Sequence, residues 1–237
     1  MKKITFIVSI FITTISFGQN FEGTLSYSYD IELSIEMKET GLTKEILMKK
    51  MKEENSFSSQ INYSYKENNY LVEMIDNGTI SKYIGEKHTI YTREKDDDLI
   101  VASDASIDLE NLMFGTSPKI EKKETDVIIL GQKCDKVVIT CETVIYEYYY
   151  NSEFLKMNPE LYKNHKYEMW FEFLNISKSL PLRIIKKFKE LVTIKMDLID
   201  YNKNEISSEN FKLPKMKLDR KLTKYVLSKN QKIYRVK

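Results

Sequence analysis

Seventeen consecutive residues, Phe21 to Met37, alternate between apolar and polar side chains. Phe21, Leu25, Tyr27, Tyr29, Ile31, Leu33, Ile35 and Met37 hold odd positions together with Gly23, and Glu22, Thr24, Ser26, Ser28, Asp30, Glu32, Ser34 and Glu36 hold the even ones. A period of two sends one set to each face of a pleated strand, so the run predicts a β-strand with one apolar and one wet face. At about 3.3 Å per residue it would extend about 55 Å, roughly three times an ordinary strand, which suits a long bent sheet better than a compact sandwich. Such a sheet needs a cover for its apolar face, and what covers it is the functional question.

Met1 to Gly18 has the order of a secretory signal peptide: Lys2 and Lys3, the mostly apolar run Ile4 to Ile12, then the small-residue exit Ser16-Phe17-Gly18. The apolar run is about half the ~20 residues that a membrane span requires. The expected organisation is a cleaved leader at 1–18, a single β-rich domain at 19–214 and a basic tail at 215–237, in a protein exported to the periplasm or beyond the cell. No cysteine near the exit indicates a lipid anchor.

Lys2 and Lys3 are the only charges in the leader, so the 37 basic and 35 acidic residues of the whole chain become 35 of each without it. That balance gives no reason to expect nucleic acid as a partner. From Lys215 onward nine basic residues face Asp219 alone, leaving an acidic body. Two readings follow: the tail folds back on its own body, or it meets an anionic membrane surface or partner. Cys134 and Cys141, in one extended segment, would lie about 23 Å apart on opposite faces, beyond disulfide reach, which predicts two buried thiols. A mature chain of this length buries roughly 70% of its unfolded surface and does not need the bridge.

Thr43 is placed to cap a helix through Glu45 to Met51 within the segment Lys38 to Asn55. Strands are expected at Phe57 to Tyr65, Tyr70 to Ile75, Thr79 to Ile84, Lys87 to Arg93 and Leu99 to Ala102, with Asn77-Gly78 as a two-residue hairpin signal and Gly85-Glu86 as a second break. Asp104 to Phe114 reads as a short helix stopped by Gly115. Further strands are expected at Val127 to Leu130, Lys133 to about Tyr150, Tyr167 to Leu174, Leu182 to Phe188 and Leu191 to Tyr201. Pro159 sits where a helix starts, after Asn158. The segment Leu218 to Leu227 reads as a short basic helix.

The chain offers little to catalysis. Its two histidines, His88 and His165, stand in no metal-ligand spacing, and His165 reads as a solvated turn residue between charged neighbours. Asp96-Asp97-Asp98 lacks the spacing, glycine and terminal glutamate of a calcium loop and reads as a solvated hairpin tip. No nucleophile elbow, phosphate-binding loop or dinucleotide fingerprint is present. Neither an enzyme nor a cofactor or metal is expected. The excess lies in 16 tyrosines and 10 methionines, many of them within the expected strands. Ordinary core packing explains most such stripes. The functional alternative is a concave apolar face, lidded by Met-bearing helices, that accepts an apolar ligand.

From Asp126 onward, Ile129-Leu130-Gly131-Gln132-Lys133-Cys134-Asp135-Lys136-Val137, Trp170, Lys178-Ser179-Leu180-Pro181-Leu182 and Phe211-Lys212-Leu213-Pro214 resemble a group of uncharacterised exported bacterial proteins. That group is similar to the periplasmic lipoprotein carriers of the outer-membrane sorting system, a half-open antiparallel β-barrel with helices over its mouth. The resemblance implies an incomplete barrel with a hydrophobic cavity for acyl chains. The chain departs from the carriers in opening with a strand rather than a helix, and no position matches their ligand-gating arginine.

The fold expected is therefore mainly β: a strongly curved antiparallel sheet or half-open β-barrel with two or three covering helices. The function expected is non-catalytic binding of an amphiphilic or acyl-chain ligand, a lipid or an acylated protein. The lining residues are Leu25, Tyr27, Tyr29, Ile31 and Leu33 from the alternating run, Trp170, and Val192, Ile194 and Met196. The alternative is an envelope structural or interaction module whose apolar face is plugged by its own helices. A carrier needs a connected cavity of roughly 300 Å³ or more, which a plugged barrel lacks.

Overall fold

The computed structural model describes residues 20–54, 56–225 and 230–237; the leader expected at 1–18 lies outside them. The alternating run forms β1 (Gly23–Leu33), with Leu25, Tyr27, Ile31 and Leu33 buried, Tyr29 half-buried, and every even side chain at least partly in solvent. The strand is shorter than the alternation. Its partners end at Ser28 on one side and Leu33 on the other, so beyond Leu33 the backbone must satisfy its hydrogen bonds locally. Ser34 caps the turn by accepting from the Met37 N–H (3.1 Å), α1 (Ile35–Glu39) follows, and Ile35 is left 70% exposed.

Gly23 explains its place in the alternation. Its φ is +146°, and a Cβ there would stand 2.1 Å from the Asn202 carbonyl oxygen, so only glycine lets the two chains meet.

After α2 (Lys44–Glu53), a meander of β2 (Gln60–Lys66), β3 (Asn69–Met74), β4 (Ile80–Ile84), β5 (Thr89–Arg93) and β6 (Leu99–Asp104) runs to α3 (Leu109–Phe114). A second meander comprises β7 (Lys119–Ile129), β8 (Gln132–Thr140), β9 (Val144–Tyr150), β10 (Arg183–Phe188) and β11 (Val192–Asn202), interrupted after β9 by a cap that contains α4 (Trp170–Ser177). The chain ends with β12 (Met216–Leu218), α5 (Arg220–Thr223) and β13 (Gln231–Val236). All thirteen strands join one antiparallel sheet, in the order β12-β13-β6-β5-β4-β3-β2-β1-β11-β10-β9-β8-β7, which does not close into a barrel. β1 is the seam between the two meanders.

Several local expectations hold. Thr43 caps α2 through the Ile46 N–H, α3 stops at the left-handed Gly115, the Asn158 side chain caps the turn begun by Pro159, and both cysteines are buried free thiols. Asn77-Gly78 marks the β3–β4 turn, but Gly78 N–H donates to the Met74 carbonyl across a wider loop than a two-residue hairpin.

Four expectations are corrected. The segment Lys133 to Tyr150 is two strands, because residues 141–143 turn although they contain no Gly, Pro or Asn. A distant side chain makes the turn: the buried Glu110 carboxylate of α3 accepts from the backbone N–H groups of Glu142 (3.0 Å) and Thr143 (3.3 Å) and from the Thr143 hydroxyl. Tyr167 to Leu174 is not a strand: Tyr167–Met169 form a tight turn and α4 starts at Trp170, burying Trp170, Phe173, Leu174 and Ser177, spaced three and four apart on one helical face. The tail joins the sheet: β13 pairs with β6 and β12 with β13, the helix is only Arg220–Thr223, and Arg235 bonds Asp98 at 2.5 Å. Val226 and Leu227, the expected end of that helix, lie outside the described residues. The Met-bearing α2 is not the lid expected, since it buries none of its residues and is tied to the wet face of β1 by Lys44–Asp30.

Glu110→Ala would leave two backbone donors unsatisfied at the β8–β9 turn. A loss of about 3 kcal/mol in unfolding free energy by urea denaturation is expected; a loss under about 1 kcal/mol would show that the turn forms without the carboxylate.

Candidate functional site

The sheet bends, and ring-to-ring distances measure it. Tyr83 on β4 lies 4.4 Å from His165, His165 lies 6.2 Å from Trp170, and Trp170 lies 6.2 Å from Tyr148 on β9. Six strand spacings separate β4 from β9, about 29 Å in a flat sheet. The cap, residues 155–180, therefore bridges a concave face, and aromatic packing within it ties both flanks together.

Between cap and sheet lies a cavity of about 520 Å³. Nine strands adjacent in the sheet, from β13 to β10 through β1, contribute to it; Ile61, Val72, Met74 and Ile90 of β2, β3 and β5 form one part of the apolar wall and Ile184, Ile194 and Met196 of β10 and β11 another. His165, Tyr167, Glu168 and Trp170 of the cap form the opposite wall. Two other clefts, of about 430 and 760 Å³, lie among surface side chains near Lys203 and Lys217 and are lined mainly by polar and charged residues.

Of the nine residues expected to line a site, Tyr29, Trp170, Ile194 and Met196 lie on the wall of this cavity. The β1–β11 register explains the pairing, since Tyr29 opposes Met196, Ile31 opposes Ile194 and Leu33 opposes Val192 on one face. Leu25 and Tyr27 are instead sealed in the core, where the Tyr27 hydroxyl donates to the Pro181 carbonyl at 2.6 Å. Ile31, Leu33 and Val192 lie off the cavity wall. The alternation identified the face but not how far the cap covers it.

His165 is the largest departure from expectation. It is 2% exposed rather than solvated, with Nε2 hydrogen-bonded to the Tyr70 hydroxyl at 2.8 Å. The polar neighbours in sequence concealed it, because the turn that buries it is pinned from afar: the Lys166 and Tyr167 N–H groups both donate to the Ala105 carbonyl beyond β6, at 2.7 and 3.1 Å. Lys186 was legible and missed. It alternates inward with Ile184 and Phe188 on β10, in line with Leu182 just before the strand, where a charge needs a partner. The partner is Glu168, whose two carboxylate oxygens each lie 2.6 Å from Lys186 Nζ.

Glu168 reaches inward because its backbone is left-handed (φ 54°), as is that of Met169 (φ 56°), an arrangement costing roughly 1–2 kcal/mol per residue. The Tyr148 hydroxyl holds this turn by donating to the Glu168 carbonyl at 2.6 Å. The carboxylate in turn acts on the surrounding phenols. Its charge, with burial, pushes the Tyr167 hydroxyl well above its ordinary range, and burial with the same charge pushes Tyr29 up to about 12. These tyrosines stay protonated, so the wall carries two charges, Glu168 and Lys186, that neutralise each other. The indole N–H of Trp170 is buried without an acceptor among the described residues. This arrangement suits desolvation and hydrogen bonding rather than proton transfer.

Burial lowers His165 to about 3 from its ordinary 6.5, so the folded protein keeps it neutral where the unfolded chain binds a proton. Stability from this group is complete above about pH 6.5 and drains as pH falls toward 3, amounting to about 2 kcal/mol between pH 7 and pH 5. In urea denaturation at those two pH values, His165→Gln is expected to lose about 2 kcal/mol less than the parent protein; equal losses would mean that His165 titrates normally in the folded state.

No family model and no curated protein matches this chain, so a functional reading rests on the cavity itself.

Proposed function

We propose that the protein is a non-catalytic binding protein for an amphiphilic or acyl-chain ligand, a lipid or an acylated protein, acting after export to the periplasm. In this reading the bent sheet serves as a half-open barrel and the cap at 155–180 as its lid. The observation that carries the proposal is the cavity of about 520 Å³ between them, within the range of small-molecule sites and above the roughly 300 Å³ expected of a carrier. A self-plugged interaction module would fill that space with its own side chains. The wall also has the composition of a binding site, mostly apolar with a few convergent polar groups.

Native mass spectrometry of protein purified from a bacterial periplasm tests the reading. A near-stoichiometric adduct that organic extraction removes is expected. Ile194→Phe, which fills part of the cavity from β11, should lower its occupancy about tenfold while changing the unfolding free energy by less than about 1.5 kcal/mol. An apo mass unchanged by incubation with phospholipid and fatty acid would overturn the proposal.

A further inference from the structure

On the cavity reading above, the wall also constrains the polar end of the ligand. Glu168 and Lys186 are its charged side chains, and Lys186 Nζ lies 2.6 Å from both oxygens of the carboxylate. Their side chains are 29% and 13% exposed. An anionic head would have to take Lys186 from Glu168, and a cationic head would have to take Glu168 from Lys186. Either exchange leaves a charge stranded in a largely desolvated place, which a bound ion would offset only by perfect substitution.

The uncharged polar groups are differently disposed. The hydroxyls of Tyr29, Tyr63 and Tyr167 lie on the same wall within the field of Glu168, and none has a hydrogen-bond partner among the described residues. The Trp170 N–H lacks an acceptor as well. The other uncharged polar side chains of the wall are already engaged: His165 with Tyr70, Ser81 with Thr92, Gln231 with Ser103, and Asn230 with the Asp104 carbonyl. A phenol exchanges hydrogen bonds with an ester or hydroxyl without separating charge. Ile61, Val72, Met74, Ile90 and Val101 line the remainder, where a hydrocarbon chain loses water contact.

We propose that the cavity selects an acyl chain carrying an uncharged, hydrogen-bonding head of the glycerol-ester type, and that the Glu168–Lys186 pair rejects charged heads by already satisfying each other. The specificity is negative as well as positive: three free phenols receive the ester, and a closed ion pair offers nothing to a carboxylate or an ammonium.

Trp170 is the sole tryptophan, 7% exposed and on the cavity wall, so its fluorescence reports occupancy in the intact mature protein. Titration at neutral pH would compare monodecanoylglycerol, decanoate and decyltrimethylammonium, which share one chain length and differ in head. Monodecanoylglycerol is expected to bind at least about tenfold tighter than either ion. Equal or tighter binding of decanoate or decyltrimethylammonium would overturn the head-group assignment while leaving the cavity reading intact. Binding of none of the three, checked by calorimetry, would overturn both.

Two variants test the pair itself. Glu168→Gln leaves Lys186 without its partner and should shift preference toward decanoate by about tenfold relative to the ester; Lys186→Met should shift it toward decyltrimethylammonium by a similar factor. An unchanged order of preference in both folded variants would sink the role given to the ion pair.

Discussion

The two halves of the sheet meet at one strand. β2 to β6 form one meander and β7 to β11 the other, and β1 joins them through Gly23–Ser28 against β2 and Thr24–Leu33 against β11. A one-residue slip on either side would turn Leu25, Tyr27 and Ile31 toward water, so the strict alternation of β1 fixes the register of the whole sheet. The bulge opposite Ser26/Tyr27 and the close approach at Gly23 accommodate the end of β11 without breaking that register. The Tyr27 hydroxyl, bonded to the Pro181 carbonyl, also ties the seam to the segment that leaves the cap.

The cap follows from where its ends and its tip are held. At its base Lys156 bridges Ser179, and the Phe21 N–H donates to the Lys156 carbonyl, fixing the cap beside the start of β1. At its tip the Ala105 carbonyl takes two N–H groups from Lys166 and Tyr167. The chain then has to begin α4, whose aromatic face packs on Tyr148, within two residues of that anchor. The successive left-handed residues Glu168 and Met169 make the turn. The local cost is met by the surrounding packing, and the result is a carboxylate aimed across the cavity at Lys186.

What the sequence made legible was local and periodic. The face of β1, the Thr43 cap, the Gly115 stop and the extent of β10 and β11 all depend on residues within a few positions of one another. What it hid depended on distant partners. The β8–β9 turn is made by Glu110, some thirty residues earlier in the chain, and the burial of His165 is made by Ala105 and Tyr70. Trp170 to Leu174 was ambiguous for another reason: a short run apolar on both sides of a strand is equally a helix, and the spacing of Trp170, Phe173, Leu174 and Ser177 decides only when Ser177 is included. In the candidate site, the alternation on β1 and β11 revealed Tyr29, Ile194 and Met196. Lys186 stood on the same inward alternation in β10, whereas its partner Glu168 and His165 needed the tertiary path of the cap to reach the wall.

The remaining question is why a bent sheet of thirteen strands stays open. Its two edges are β7 and β12, and neither is suited to pair with the other. β12 is three residues long, whereas β7 runs for eleven and carries Lys119, Glu121, Lys122, Lys123, Glu124 and Asp126, with an irregularity between Glu124 and Ile128. Short length, dense charge and irregular pairing are the devices by which exposed edges avoid further strand addition. Closure by direct pairing would also require matching hydrogen-bond ladders over lengths that differ by eight residues. The geometry that keeps the sheet open thus leaves the concave face to be covered by the cap, and it is under the cap that the cavity with its paired charges and free phenols is formed.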